Sequence, residues 1–190
     1  MFMRHLPAFL SLLALLFVSC SGPATPPNGA GELPRLMVER LAWMDEVAQV
    51  KQARSLPVTD AKREAELLLA MEKKGAAKGL PATAVRSLFS GQMDAAKQVQ
   101  TEWLRAHKNT PAPGVALPDL AATVRPALDR IGENMLAALA TARAKNSGPQ
   151  TLAAARARLR RAGYSPAVIT PALKGLEAAF TAESAPPEGR

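Results

Sequence analysis

Residues 39–64 read ERLAWMDEVAQVKQARSLPVTDAKRE. Arg40 and Lys51 stand eleven residues apart, about three turns of an α-helix, so their side chains point the same way. Around them Leu36, Leu41, Met44, Val47 and Val50 recur at helical rather than alternating spacing. The pattern begins near Pro34, a residue suited to a first helical turn. It stops before Pro57, because the residue preceding a proline is pushed out of the helical region. Thr59 or Asp60 can cap the next helix, although neither has a glutamate three residues on to complete a capping box. Asp60, Arg63 and Glu64 then sit together at its start. The stretch is helix, short connection, helix. Its charges are either a solvated face or one half of a site, and residues further along decide between the two.

The whole chain fits the helical reading. It has 190 residues, 48% of them hydrophobic and only 4% aromatic. Abundant alanine favours helices packed through small side chains over a sheet, in one all-α domain. The formal charge is +8, and +7 without the first twenty residues, whose only charged side chain is Arg4. That balance draws anionic partners without specifying one.

Beyond Glu64, Leu67, Leu68 and Met71 carry an apolar face as far as Gly75 and Gly79. Leu80-Pro81-Ala82-Thr83 opens a third helix through Val85, Leu88, Phe89, Met93, Ala96, Val99 and Trp103. Gln92, Ala96 and Gln100 share a line on it. Gln100, beside Val99 and Trp103, faces the interior, where it either serves a site or is satisfied by backbone. The segment NTPAPGVALP, residues 109–118, is a break long enough to cross the molecule. Leu120, Val124, Leu128, Ile131, Met135 and Leu139 form a further amphipathic helix, with Arg125 and Asp129 one turn apart and able to pair. After Asn146-Ser147-Gly148-Pro149 comes a basic helix with Leu152, Ala155 and Leu159 inward and Arg156, Arg158, Arg160 and Arg161 mostly outward. Gly163 is its C-terminal cap. Ser165-Pro166 starts a last helix through Ile169, Leu173, Leu176 and Phe180, and residues 184–190 read as a disordered tail.

The first twenty residues, MFMRHLPAFLSLLALLFVSC, have a signal peptide's shape: Arg4 and His5, a short apolar run, then Cys20. Cys20 is the only cysteine, and Phe17-Val18-Ser19-Cys20 resembles a lipobox whose cysteine is lipidated, with Phe17 in place of the usual leucine. Ser21 at the next position resembles outer-membrane sorting. Residues 21–33 then form a flexible tether rich in proline, glycine and small residues.

Several chemistries are excluded. With His5 removed alongside the leader, His107 stands alone, so neither a histidine triad nor a zinc site is expected. No glycine-rich loop joins a strand to a helix. In an exported chain the arginines near residue 158 are a solvated face rather than a nucleic-acid surface. What remains is a set of cations and amides with two carboxylates and no nucleophile. Such a set can bind a small dianion and stabilise charge developing in it.

Arg40, Lys51, Asp60, Arg63, Glu64 and Gln100, at these spacings, resemble the active-site register of the helical chorismate mutases. ERL around Arg40, the proline before the second helix and SLFSGQM in the third agree with it. Arg125-Pro-Ala-Leu-Asp129 and Asn134-Met135-Leu136 look like the second half of the secreted, gamma-type branch. The resemblance covers about residues 34–140, with the last two helices matching only loosely, and implies an all-helical domain, taken as residues 34–183, that rearranges chorismate to prephenate without a cofactor. The site would lie within one chain of a homodimer, reached by a lipid anchor to the membrane and independent of nucleic acid. Arg40, Arg63 and Arg125 would clamp carboxylates, Lys51 and Gln100 would donate to the ether oxygen, and Glu64, with the backbone near Asp60, would accept from the hydroxyl. Gln100, where some relatives have glutamate, implies activity maintained through neutral and mildly alkaline pH.

The chain departs from the family in three places. Ala96 replaces a hydroxyl residue that would bond a carboxylate. Pro23 stands where short cytoplasmic forms supply an arginine to the partner subunit, a role the resemblance assigns to Arg125 here. No cysteine follows Cys20, so the last helices are expected to hold by packing alone. Two other readings keep the architecture: a non-catalytic envelope binding lipoprotein, and pyruvate elimination from isochorismate.

Overall fold

The computed structural model describes residues 31–108 and 117–183. The expected leader, Cys20, most of the tether and the expected tail lie outside these residues. Among those described, every regular element is helical: α1 (Glu32–Ala42), α2 (Met44–Ala53), α3 (Ala61–Ala76), α4 (Ala82–Ala106), α5 (Arg125–Ala144), α6 (Gly148–Arg161) and α7 (Pro166–Thr181). None of them is long and apolar enough to cross a membrane.

The helix expected from Pro34 to Pro57 is divided at Trp43, which leaves the regular ladder and turns its N–H to the Leu41 carbonyl. The division follows from packing, since α1 lies against α5 and α6 while α2 lies against α4. A straight rod could not follow both surfaces. Asp60 caps α3 as expected, accepting the Arg63 backbone N–H at 3.1 Å.

The 25-residue α4 is the central element. It packs on α2 and α3 and, most extensively, on α7, so it buries more than one stripe: Val85, Leu88 and Phe89 are fully covered, as are Ala95 and Gln92. Where α4 crosses α7, glycines face each other. A Cβ at Gly91 would stand 2.6 Å from the Pro171 carbonyl oxygen and 2.8 Å from the Gly175 Cα, so the two backbones meet with no side chain between them.

A π-helical turn, Leu120–Val124, precedes α5. Pro126 has no N–H to give the Ala122 carbonyl, so the α-pattern cannot run through this point. Instead Val124 N–H reaches back five residues to the Asp119 carbonyl at 3.2 Å, and Arg125 N–H reaches the Leu120 carbonyl. The Asp119 carboxylate caps the turn, accepting from the N–H groups of Ala121 and Ala122 at 2.7 and 3.1 Å.

The last helices do not hold by packing alone. Arg143 of α5 donates from Nη1 to the carbonyls of Ala179 and Phe180 and from Nη2 to that of Ala182. A cation thus satisfies the orphan carbonyls at the C-terminus of α7. At its other end Ser165 caps the helix and donates to Glu102 of α4 at 2.5 Å.

Candidate active site

A cavity of about 160 Å³ opens between α1, α2, α3, α4, the π-turn and α5. Every internal site residue expected from the sequence lines it: Arg40, Lys51, Asp60, Arg63, Glu64, Gln100 and Arg125. All come from one chain. Met44, Val47, Leu67, Phe89, Met93, Ala96, Leu120, Val124 and Leu128 supply an apolar wall.

Arg40, near the end of α1, is 5% exposed and is the one charged side chain classed as buried among the described residues. It makes no salt bridge to any described carboxylate, and its Nη1 is buried without a hydrogen-bond partner among those residues. Burial pushes its pKa down to about 10, with Asp129 opposing the shift; the guanidinium remains a cation at neutral pH. A buried, unpartnered guanidinium facing a cavity is a receptor for an anion.

Lys51, in the last turn of α2, donates to the Val58 carbonyl at 2.5 Å. Burial lowers its pKa, with Asp60 and Glu64 pulling the other way, yet neither carboxylate forms a salt bridge with it. Its ammonium is held at the cavity wall by a neutral acceptor.

Gln100 is 5% exposed. One amide N–H bonds the Ala96 carbonyl at 3.2 Å, so backbone does satisfy it in part. The other faces only the Met44 thioether at 3.6 Å, a weak acceptor, and its Oε1 is buried without a partner among the described residues. A stronger acceptor in the cavity would take that second N–H.

Arg63 sits loosely between Glu66 at 3.8 Å and Asp129 at 3.9 Å, with 40% of its side chain exposed. Asp129 therefore reaches across to α3 rather than pairing with Arg125. Arg125 has no salt-bridge partner among the described residues and lines the cavity from the start of α5.

Sequence reading missed Lys97. Its ammonium lies 3.2 Å from Glu64 and 2.9 Å from Asp94, and it too lines the cavity. The signal was its place on α4, one residue after Ala96 and three before Gln100. His107 is structural: it stacks on Trp103 with ring centroids 4.1 Å apart, and its carbonyl accepts from Gln52 at 3.1 Å.

Among the described residues five cations and three carboxylates line the cavity, a surplus of two positive charges. An apolar slot with that surplus suits a compact dianion, and it offers donors where negative charge could develop.

The family model for chorismate mutase type II matches residues 31–101. The fold is similar to the crystal structure of chorismate mutase from Burkholderia thailandensis, with 31% identity, 80% of this chain and 99% of that one covered, and a TM-score of 0.67. It is also similar to chorismate mutase from Burkholderia phymatum, with 25% identity, 82% and 98% covered, and a TM-score of 0.69. A secreted chorismate mutase from Yersinia pestis shares the fold, with 22% identity, 79% and 95% covered, and a TM-score of 0.65.

Proposed function

Because the chain belongs to the type II chorismate mutase family and is thereby an isomerase, we propose that its cavity binds chorismate and works by electrostatic preorganisation. Chorismate is a dianion with an enol ether, and its rearrangement to prephenate exchanges bonds within one molecule. No nucleophile or acid–base step is needed. The protein must hold a chair-like conformer and stabilise negative charge on the ether oxygen as its bond breaks.

The carrying observation is Arg40: a buried cation with no anion of its own, on the wall of a cavity carrying two surplus positive charges. Arg40, Arg63 and Arg125 clamp the two carboxylates, since a guanidinium forks onto a carboxylate. The loose contacts of Arg63 to Glu66 and Asp129 are exchanged for the ligand at small cost, because exposed pairs are worth about 0–1 kcal/mol. Lys51 leaves or shares the Val58 carbonyl, and Gln100 turns its second N–H, so that both donate to the ether oxygen. Glu64 and the backbone near Asp60 accept from the substrate hydroxyl. Ala96 leaves one carboxylate contact to water.

Purified protein incubated with chorismate should form prephenate. Lys51→Ala should lower kcat by about a hundredfold or more while preserving the helical fold. Undiminished turnover in that variant would refute the assignment of Lys51.

We further propose export with a lipid at Cys20, supported by the leader pattern and the lone cysteine. Cys20→Ala should release the protein from the membrane fraction or block its processing, and an unchanged membrane fraction would remove the claim.

A further inference from the structure

Burial lowers the pKa of Lys51, and two carboxylates, Asp60 and Glu64, offset only part of that shift; its Nζ donates instead to a backbone carbonyl. Asp60 is occupied at the N-terminus of α3. Glu64 is held elsewhere, because its Oε2 lies 3.2 Å from the ammonium of Lys97. Lys97 is itself fixed from the solvent side by Asp94, its neighbour three residues back on α4, at 2.9 Å. The two ends of this relay differ in setting: Asp94 is 57% exposed, whereas Lys97 and Glu64 are 27% and 25% exposed and line the cavity. The other charged groups around Glu64 are Arg63 on its own helix and, across the cavity, Arg40, Arg125 and Asp129.

Resting on the chorismate reading of the cavity, we propose that Lys97 is a positioning residue: from α4 it ties one oxygen of Glu64 on α3, leaving the other for the substrate hydroxyl and keeping the carboxylate off Lys51. The bonds from Asp94 and Glu64 hold Lys97 as a cation, so the tie persists across the working pH range. Released, Glu64 is free to turn to Lys51, a cavity cation that already feels its charge. An ion pair there would remove the charge that the breaking ether bond needs.

The test is a double-mutant cycle on the full chain, with kcat and KM for chorismate measured separately in wild type, Lys97→Met, Glu64→Gln and the double variant. Lys97→Met should lower kcat about tenfold or more and raise KM. Glu64→Gln should act chiefly on KM, because an amide cannot neutralise Lys51. In the Glu64→Gln background, adding Lys97→Met should cost little further kcat, and Lys97→Arg should restore most of the wild-type rate. A general loss of packing would instead lower both backgrounds alike and would not be rescued by arginine.

Wild-type kcat and KM in Lys97→Met, or losses that multiply in the double variant, would overturn the proposal. A wild-type protein that leaves chorismate unchanged would refute the reading of the cavity instead. If Lys97→Met fails to fold, Lys97→Gln takes its place in the same cycle.

Discussion

Arg40→Met should make the protein more stable and nearly inactive, and the structure sets the size of both effects. The guanidinium is buried, with its Nη1 unpartnered among the described residues. Its pKa falls from the ordinary arginine value to about 10, a cost to the charged form of about 3 kcal/mol. Because the folded-state value is the lower one, the folded protein holds this proton less tightly than the unfolded chain. The destabilisation is therefore full below about pH 10 and is relieved as pH climbs from there towards the ordinary arginine value. Methionine fills similar space without a charge to desolvate, and replacing a buried ion by an apolar side chain is neutral or stabilising by about 1–3 kcal/mol. For a chain of this size the melting temperature should rise by about 2–4 °C per kcal/mol. A carboxylate clamp is lost at the same time, so kcat/KM should fall by about a hundredfold or more. Thermal unfolding with and without chorismate separates the two effects. Ligand at about a hundred times its Kd should stabilise wild type by about 2.7 kcal/mol and barely move the variant. A variant that melts several degrees below wild type would mean that the guanidinium is satisfied inside the fold, and the receptor argument would fail.

The remaining predictions concern pH and the last helices. In Gln100→Glu the new carboxyl must be protonated to donate, so activity should fall at neutral pH and recover on acidification, whereas wild type stays active through mildly alkaline pH. The alkaline loss of wild-type kcat/KM should begin below the pH at which an ordinary lysine titrates, because burial lowers the pKa of Lys51; a profile flat to that point would contradict the placement. Arg143→Met removes the donor to three carbonyls at the end of α7. It should cost about 1.5–3 kcal/mol in denaturant unfolding while leaving kcat/KM of the folded protein intact, since Arg143 does not line the cavity.

What the sequence made legible is what periodicity carries. The apolar positions of α4 and α5 were readable because burial recurs every three or four residues; helix spacing showed that Arg40 and Lys51 point the same way, and the rest of the candidate site was readable through the resemblance to the chorismate mutase register. The interruptions were not readable. Trp43 leaves the ladder where the chain passes from α1, packed mainly on α5 and α6, to α2, packed mainly on α4, a fact about α4, α5 and α6 rather than about Trp43. The π-turn had a local cause in Pro126, but a proline at the start of a helical pattern reads equally well as an ordinary first turn.

Lys97 and Arg143 resisted reading for a different reason. Each is a basic residue on an amphipathic helix, the commonest solvent-facing pattern there is, and each acts through a partner distant in the chain: Glu64 for Lys97 and the end of α7 for Arg143. A residue whose role is to hold another leaves no mark on its own neighbourhood. Arg40 was open in the sequence between a solvated face and half of a site, and was read through the family resemblance; the structure places it on a buried face beside Leu36, Leu41 and Met44. A charge on a buried face calls for an anion, and among the described residues no carboxylate forms a salt bridge with it. On the proposed function that partner is the ligand, so the burial that penalises the Arg40 cation in the empty protein is offset when chorismate binds.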